Sequence, residues 1–214
     1  MTQAQENLPA TVSTSQKLDK VNQEIAVRRE LTYQADYVPH LSLTDIQHIV
    51  ALLKERDKLL VETLFDGCLR CSEAISIRPC DIVQDSTGWV IRILGKGGKR
   101  SIIAVSPSLV AQLQSYAYRH QMPLDSRLFP ITRGRVHQIV KAAMVKAGVV
   151  KPDGVGAVHV LRHSGAIERL RLTGNPKAVQ EQLRHRSAAM TLRYMKTLSH
   201  IESIEIQKGV DFRW

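Results

Sequence analysis

At 214 residues with 43% hydrophobic side chains, the chain is long enough to bury a core, as one large domain or as a domain with a small appendage, and its composition excludes intrinsic disorder. Its formal net charge is +10, and the excess is local: 13 Lys/Arg face 3 Asp/Glu between Arg133 and Lys196, leaving 17 of each elsewhere. A basic stretch on a neutral scaffold points to nucleic acid rather than to a membrane-surface helix, because these cations are spread over several short helices instead of backing one apolar face.

In chain order, residues 1–38 are polar and read as a tail or vestigial arm, with at most one helix around Gln16–Arg29. Their opening run, MTQAQENLPATVSTSQ, has neither the basic start nor the apolar core of a secretory signal, and no apolar run in the chain reaches membrane-spanning length. A cytoplasmic location is therefore expected.

From Leu41 the helical period takes over. Ser42 or Thr44 offers an N-cap, Ile46, Ile49, Val50 and Leu53 form one stripe, Leu59, Leu60, Thr63 and Leu64 form another, and Gly67 interrupts. Cys68, Cys71 and Cys80 lack the second pair or histidines that a zinc site needs, so buried reduced thiols are expected and no metal. The β-branched runs Trp89–Leu94 and Ser101–Val105 flank Gly-Lys-Gly-Gly, a hairpin signal. Ser106 and Pro107 then open a helix with Leu109, Leu113 and Tyr116 on one face. Val136, Ile139, Val140, Ala143 and Met144 mark another that Gly148 stops. The following helix, HVLRHSGAIERLRLTG, ends at Gly174, and Asn175 with Pro176 starts the next. Ser187 caps a short helix carrying Tyr194. The fold expected is mainly α with a small antiparallel hairpin or three-stranded sheet on one edge.

Several residues carry chemistry. His159 and Arg162 stand three apart on one helix face, where a guanidinium can clamp a phosphate and an imidazole can move a proton near neutral pH. Arg70 lies after Gly67 with Glu73 placed to hold it, and Lys96 offers an ammonium on a hairpin tip. His185 and Tyr194 repeat the basic theme. A phenol becomes a usable nucleophile only where cations and donors surround the phosphate that it attacks. Taken singly, each of these also fits a solvated surface.

Their order changes the odds. Arg70 in GCLRCSE, Lys96 in LGKGGKR, His159 and Arg162 in HVLRHSGA, then His185 and Tyr194 in LRHRSAAMTLRYM resemble the tyrosine recombinase (phage integrase) family over about residues 41–196. The resemblance implies the tyrosine recombinase catalytic-domain fold over 39–197, followed at 198–214 by a tail that docks on a neighbouring protomer. It also implies strand exchange without metal, ATP or any other cofactor. Tyr194 would be the nucleophile forming a 3′-phosphotyrosyl bond, and Arg70 and Arg162 would clamp the phosphate. Lys96 would protonate the leaving 5′-oxygen, His159 would take the phenol proton, His185 would hydrogen-bond the phosphate, and Glu73 would support Arg70. Implied partners are double-stranded DNA bearing a recombination site, further copies of the chain (a dimer per site, a tetramer in synapsis) and accessory DNA-bending proteins. Arg133, Arg135, Lys141 and Arg186 are candidate DNA-backbone contacts.

Two departures stand out. Where the family commonly has Leu-Gly-His, this chain has Leu183-Arg184-His185, which bears on the turn that places His185. Fewer than 40 residues precede the catalytic segment, so the chain resembles short fimbrial phase-variation invertases and plasmid or mobile-element resolvases. A DNA-binding regulator that kept the fold without catalysis, and a type IB topoisomerase-like relaxing enzyme, are the alternatives.

Overall fold

A computed structural model describes residues 37–86, 88–94, 100–185 and 187–208, with side chains of the last helix described as far as residue 202. The candidate helix at Gln16–Arg29, the hairpin tip with Lys96, Arg186, Ile204, Ile206 and Trp214 fall outside these described residues or side chains. Helices α1 (Leu43–Ala51) and α2 (Glu55–Asp66) lead to a single turn, α3 (Cys71–Ala74), and a 3-10 turn at Pro79–Asp81. Strands β1 (Ile82–Asp85), β2 (Gly88–Leu94) and β3 (Arg100–Ala104) follow. Helices α4 (Pro107–Arg119), α5 (Arg133–Lys146), α6 (Ala157–Thr173), α7 (Pro176–Leu183) and α8 (Ala188–Lys208) complete the order.

Local chemistry sets these boundaries. The Ser42 hydroxyl accepts from the Asp45 N–H while the Asp45 carboxylate accepts from the Ser42 N–H, a reciprocal cap on α1. Ser106 with Pro107 opens α4, Thr132 caps α5, and Asn175 Oδ1 accepts from the Ala178 N–H at the start of α7. Gly174, at φ 60°, ends α6 in the left-handed conformation. The sheet is antiparallel in the order β1-β2-β3, the three-stranded form of the two that the sequence left open. Ile91 stands opposite Ile82 on one side and Ile103 on the other, and all three are buried.

Two hydrophobic clusters result. The larger joins α1, α2, α4, α5 and the start of α6 to one face of the sheet, with Leu60, Leu64, Leu113, Phe129, Val136 and Val140 fully covered. The smaller gathers Val38, Cys68, Ala166, Ile167, Leu170, Val179, Leu183, Tyr194 and Leu198. Between them α6 crosses α2 at Gly165, where a Cβ would sit 2.0 Å from the Phe65 carbonyl oxygen, so only glycine permits the approach.

Two expectations need correcting. Tyr194 lies on a helix of 21 residues, not a short one; α8 runs unbroken past Thr197, and Leu198 is buried beside Tyr194. Only Cys68 of the three thiols is buried. Cys71 is half-buried and Cys80 exposed, because the chain turns at Cys68 (φ 48°) and leaves the core through the 3-10 turn. At the 183–185 turn, where the sequence departs from Leu-Gly-His, Arg184 takes a positive φ of 55°. No described helix is long and apolar enough to cross a membrane.

Candidate active site

Arg70 is the N-cap of α3, with its backbone extended, which leaves its N–H free to be capped from within the turn. Glu73 does this: one oxygen, Oε2, accepts from the Arg70 N–H at 2.8 Å, and Oε1 accepts from the guanidinium at 2.9 Å. The pairing of Glu73 with Arg70 read from the sequence is thus present, and Glu73 is only 2% exposed. Burial pushes its carboxyl up, but the Arg70 hydrogen bonds and the Arg184 charge outweigh this and hold it below its ordinary range.

Helix α6 contributes His159 and Arg162 from adjacent turns. Arg162 is 2% exposed, yet its guanidinium is satisfied: Nη1 donates to the Cys68 carbonyl, Nη2 donates to the Leu183 carbonyl at 2.7 Å, and Glu73 Oε2 lies 3.9 Å away. Burial, then the neighbouring Arg70 and Arg184, bring its pKa down to about 10, so it stays charged at neutral pH. Of the two arginines expected to clamp a phosphate, Arg162 is therefore buried and anchored on backbone carbonyls, while the Arg70 side chain is half open to solvent.

Tyr194 comes from α8 and is 4% exposed. Burial pushes its phenol up to about 12, against the opposing pull of Arg162. Three imidazoles line its approach. The ring of His185, which precedes α8, lies 5.9 Å from the Tyr194 ring, and His163 meets it edge-on at 5.8 Å. His159 packs edge-on against His163 at 4.5 Å. Burial lowers all three histidine pKa values, helped by Arg162 and Arg70 at His159 and His185 and by His159 at His163, to about 4 for His163 and His185. All three rings are therefore neutral at pH 7, and the positive charge of the site resides in its guanidiniums.

The structure thus brings together Arg70, Glu73, His159, Arg162, His185 and Tyr194, which lie on three separate stretches of chain. Of the candidate DNA contacts, Arg133 opens α5 close enough to Cys71 for its charge to act on that thiol. Arg135 is exposed and donates to Gln138, and Lys141 is exposed one face further along. Among the described residues no group of His, Cys, Asp and Glu is arranged to hold a metal ion.

Some participants were not singled out in the sequence. His163 had only its place beside Arg162 to mark it; its Nδ1 lies 3.1 Å from the Pro39 carbonyl, so that nitrogen carries the proton. Gln182 fastens α7 to the sheet by accepting from the Ala104 N–H and donating to the Ala104 and Gly67 carbonyls. No local pattern announces a glutamine in that role.

The family model described as the phage integrase family matches residues 39–200. Tyrosine recombinase XerC of Nitrobacter winogradskyi is 32% identical over 146 residues, which are 65% of this chain and 45% of that protein. The XerH site-specific recombinase solved bound to its difH substrate, before cleavage, superposes with a TM-score of 0.62 at 21% identity, over 78% of this chain and 53% of that one. The catalytic domain of bacteriophage HP1 integrase gives 0.59 at 24% identity, over 78% and 92%. This chain spans about half the length of the curated relatives it matches first.

Proposed function

The chain belongs to the phage integrase family, and on that premise we propose that it is a site-specific DNA recombinase that cuts and rejoins double-stranded DNA through a 3′-phosphotyrosyl intermediate. The observation that carries the proposal is the placement of the buried Tyr194 against the rings of His163 and His185 and within the field of the buried, backbone-anchored Arg162.

In this reading the Tyr194 Oη attacks the scissile phosphorus, the bond from phosphorus to the 5′-oxygen breaks, and the phenol proton passes to a neutral imidazole, that of His159. Lys96 supplies the proton taken up by the departing 5′-oxygen. Rejoining reverses every step, and the phosphodiester's bond energy stays in the phosphotyrosine, so no external energy source is needed. A phenol held near 12 is protonated at neutral pH, which makes a proton acceptor and a cationic phosphate site both necessary. Three guanidiniums, of Arg70, Arg162 and Arg184, against the one carboxylate of Glu73 leave a surplus of two positive charges. That surplus suits the charge gathered on a phosphoryl transition state, where fixed electrostatics contribute most. His185 would bond a non-bridging oxygen as a neutral donor.

DNA as partner is supported by the basic 133–196 stretch and by relatives such as XerH solved on its difH substrate. Assembly as a dimer per site and a tetramer in synapsis, aided by DNA-bending proteins, belongs to the same proposal, as do backbone contacts by Arg133, Arg135, Lys141 and Arg186.

The test is to trap the adduct. Wild type and Tyr194→Phe are incubated with nicked half-sites drawn from DNA flanking the gene, and a denaturant-resistant, 3′-linked protein–DNA species is sought. It should form with wild type and not with the phenylalanine variant. Tight binding with no adduct from either protein would favour the catalytically silent DNA-binding regulator.

A further inference from the structure

We propose that Arg184 is a positioning residue that ties the turn bearing His185 to the Arg70–Glu73 pair, a role that the glycine common at this place in the family has no side chain to perform. The proposal deepens the recombinase reading and rests on it.

Arg184 ends α7 at φ 55° and ψ 42°, a left-handed conformation that costs any residue with a Cβ something and costs glycine nothing. Its side chain is only 15% exposed, and both terminal nitrogens are engaged: Nη2 donates to Glu73 Oε2 at 2.7 Å, and Nη1 donates to the Gln182 carbonyl at 2.8 Å. The same carboxylate oxygen already accepts from the Arg70 N–H. One carboxylate therefore fixes the start of α3, where Arg70 sits, and the end of α7, where His185 follows.

Arg162 completes the arrangement from the other side. It holds the Leu183 carbonyl, one residue before Arg184, so the turn is gripped at two successive residues by two different elements. Displacing the turn would move the His185 ring relative to Tyr194 and release one of the three cations around Glu73. With an open carboxylate oxygen, the half-exposed Arg70 guanidinium is free to change its pairing. Arg184 thereby joins the phosphate clamp and the imidazole that faces the same phosphate in one hydrogen-bonded unit, and such units respond to deletion more than their pairs suggest.

The geometry separates side chain from backbone. Arg184→Ala removes the tie and keeps the strain, whereas Arg184→Gly removes the tie and relieves the strain. The glycine variant should therefore melt roughly 2 to 4 °C above the alanine variant. Both should cleave a saturating nicked half-site more slowly than wild type by about tenfold in single turnover, with DNA affinity changed by less than about threefold. Arg184→Lys keeps the charge but lacks the guanidinium's fork of two terminal nitrogens, and should recover part of the rate. Without any DNA, the Arg70 Nε–H and His185 ring resonances should shift together in the alanine and glycine variants and stay near wild type in Arg184→Lys.

A glycine variant that cleaves as fast as wild type would overturn the proposal, leaving Arg184 as backbone only. So would Arg70 and His185 resonances that do not move. If wild type forms no adduct at all, the recombinase reading fails by itself, and the resonance test still decides whether Arg184 links the two residues.

Discussion

The two hydrophobic clusters divide the labour of the site. The larger one supports the sheet and the α3 turn, and so holds Arg70 and Glu73 against a wide, fully covered apolar interior. The smaller one contains Tyr194, the proposed nucleophile, packed among Val38, Cys68, Leu170, Leu183 and Leu198. A clamp must keep its geometry to stabilise charge, and an extensive core provides that. A tyrosine that is 4% exposed must be uncovered before DNA can reach it, and a small cluster opens at a lower cost than a large one. The proposed phosphate clamp and the proposed nucleophile thus rest on packing of different extent.

The seam between them is where the comparison can be broken most severely. Gly165 lets α6 touch α2, and the atom that an added Cβ would meet is the Phe65 carbonyl oxygen at 2.0 Å, part of a backbone that cannot rotate away. Gly165→Ala should cost about 3 kcal/mol, the upper end for forced overpacking. In thermal unfolding this is a fall of roughly 6 to 12 °C for a chain of this size. An unchanged melting temperature would mean that the two helices do not meet backbone to backbone, and the division at this seam would be lost.

Acid should act next most strongly, and on the smaller cluster. His163 and His185 flank Tyr194 with pKa values near 4, against about 6.5 in an unfolded chain. Between those values the unfolded state binds more protons than the folded one, so stability falls as pH drops from 6.5 towards 4 and is fully present above 6.5. Allowing for the solvent around both rings, the two together should account for about 2 to 3 kcal/mol. His163→Asn can keep the donation to the Pro39 carbonyl without titrating, so urea unfolding at pH 5 and pH 7 should differ less in that variant than in wild type. An equal difference would assign the acid sensitivity elsewhere.

Much of this was legible beforehand because it is local. The caps at Ser42, Ser106 and Asn175, the hydrophobic stripes of α2, α4 and α5, and the paired strands each depend on a few neighbouring residues, and each appears where its pattern lies. The residues expected to form the site could be named from their order along the chain, and those that are described do converge. What stayed hidden depends on distant partners. Nothing near Gly165 reports that Phe65 will press on it, and nothing near Glu73 shows that Arg184, 111 positions away, will share its carboxylate. The left-handed turn at Arg184 was left open by the sequence, because arginine gives no signal for positive φ and the compensating contact is non-local. The length of α8 was missed for a related reason: its polar, basic face masks the buried positions Thr191, Tyr194, Thr197 and Leu198.

The gentlest perturbation sharpens the comparison further. The segment just before α1 lies across the smaller cluster: the Val38 N–H donates to Thr197 Oγ1 at 2.9 Å, and the Leu41 N–H donates to Ser164 Oγ at 2.8 Å. Thr197→Val keeps the shape of the side chain but leaves a buried N–H without its acceptor, a loss of about 1 to 2 kcal/mol. Because that bond joins Val38 to α8, the loss should fall on the smaller cluster while the larger stays closed. Cys68 reports the difference, being fully buried in the smaller cluster. With Cys71 and Cys80 replaced by serine, modification of Cys68 by a thiol reagent should accelerate about 5- to 30-fold in Thr197→Val, the range that corresponds to one or two kcal/mol. The urea midpoint followed by a probe in the larger cluster should move by less than that loss implies. If Cys68 labelling and global unfolding shift by the same free energy, the clusters open as one unit, and Tyr194 is no easier to uncover than the Arg70–Glu73 pair is to dismantle.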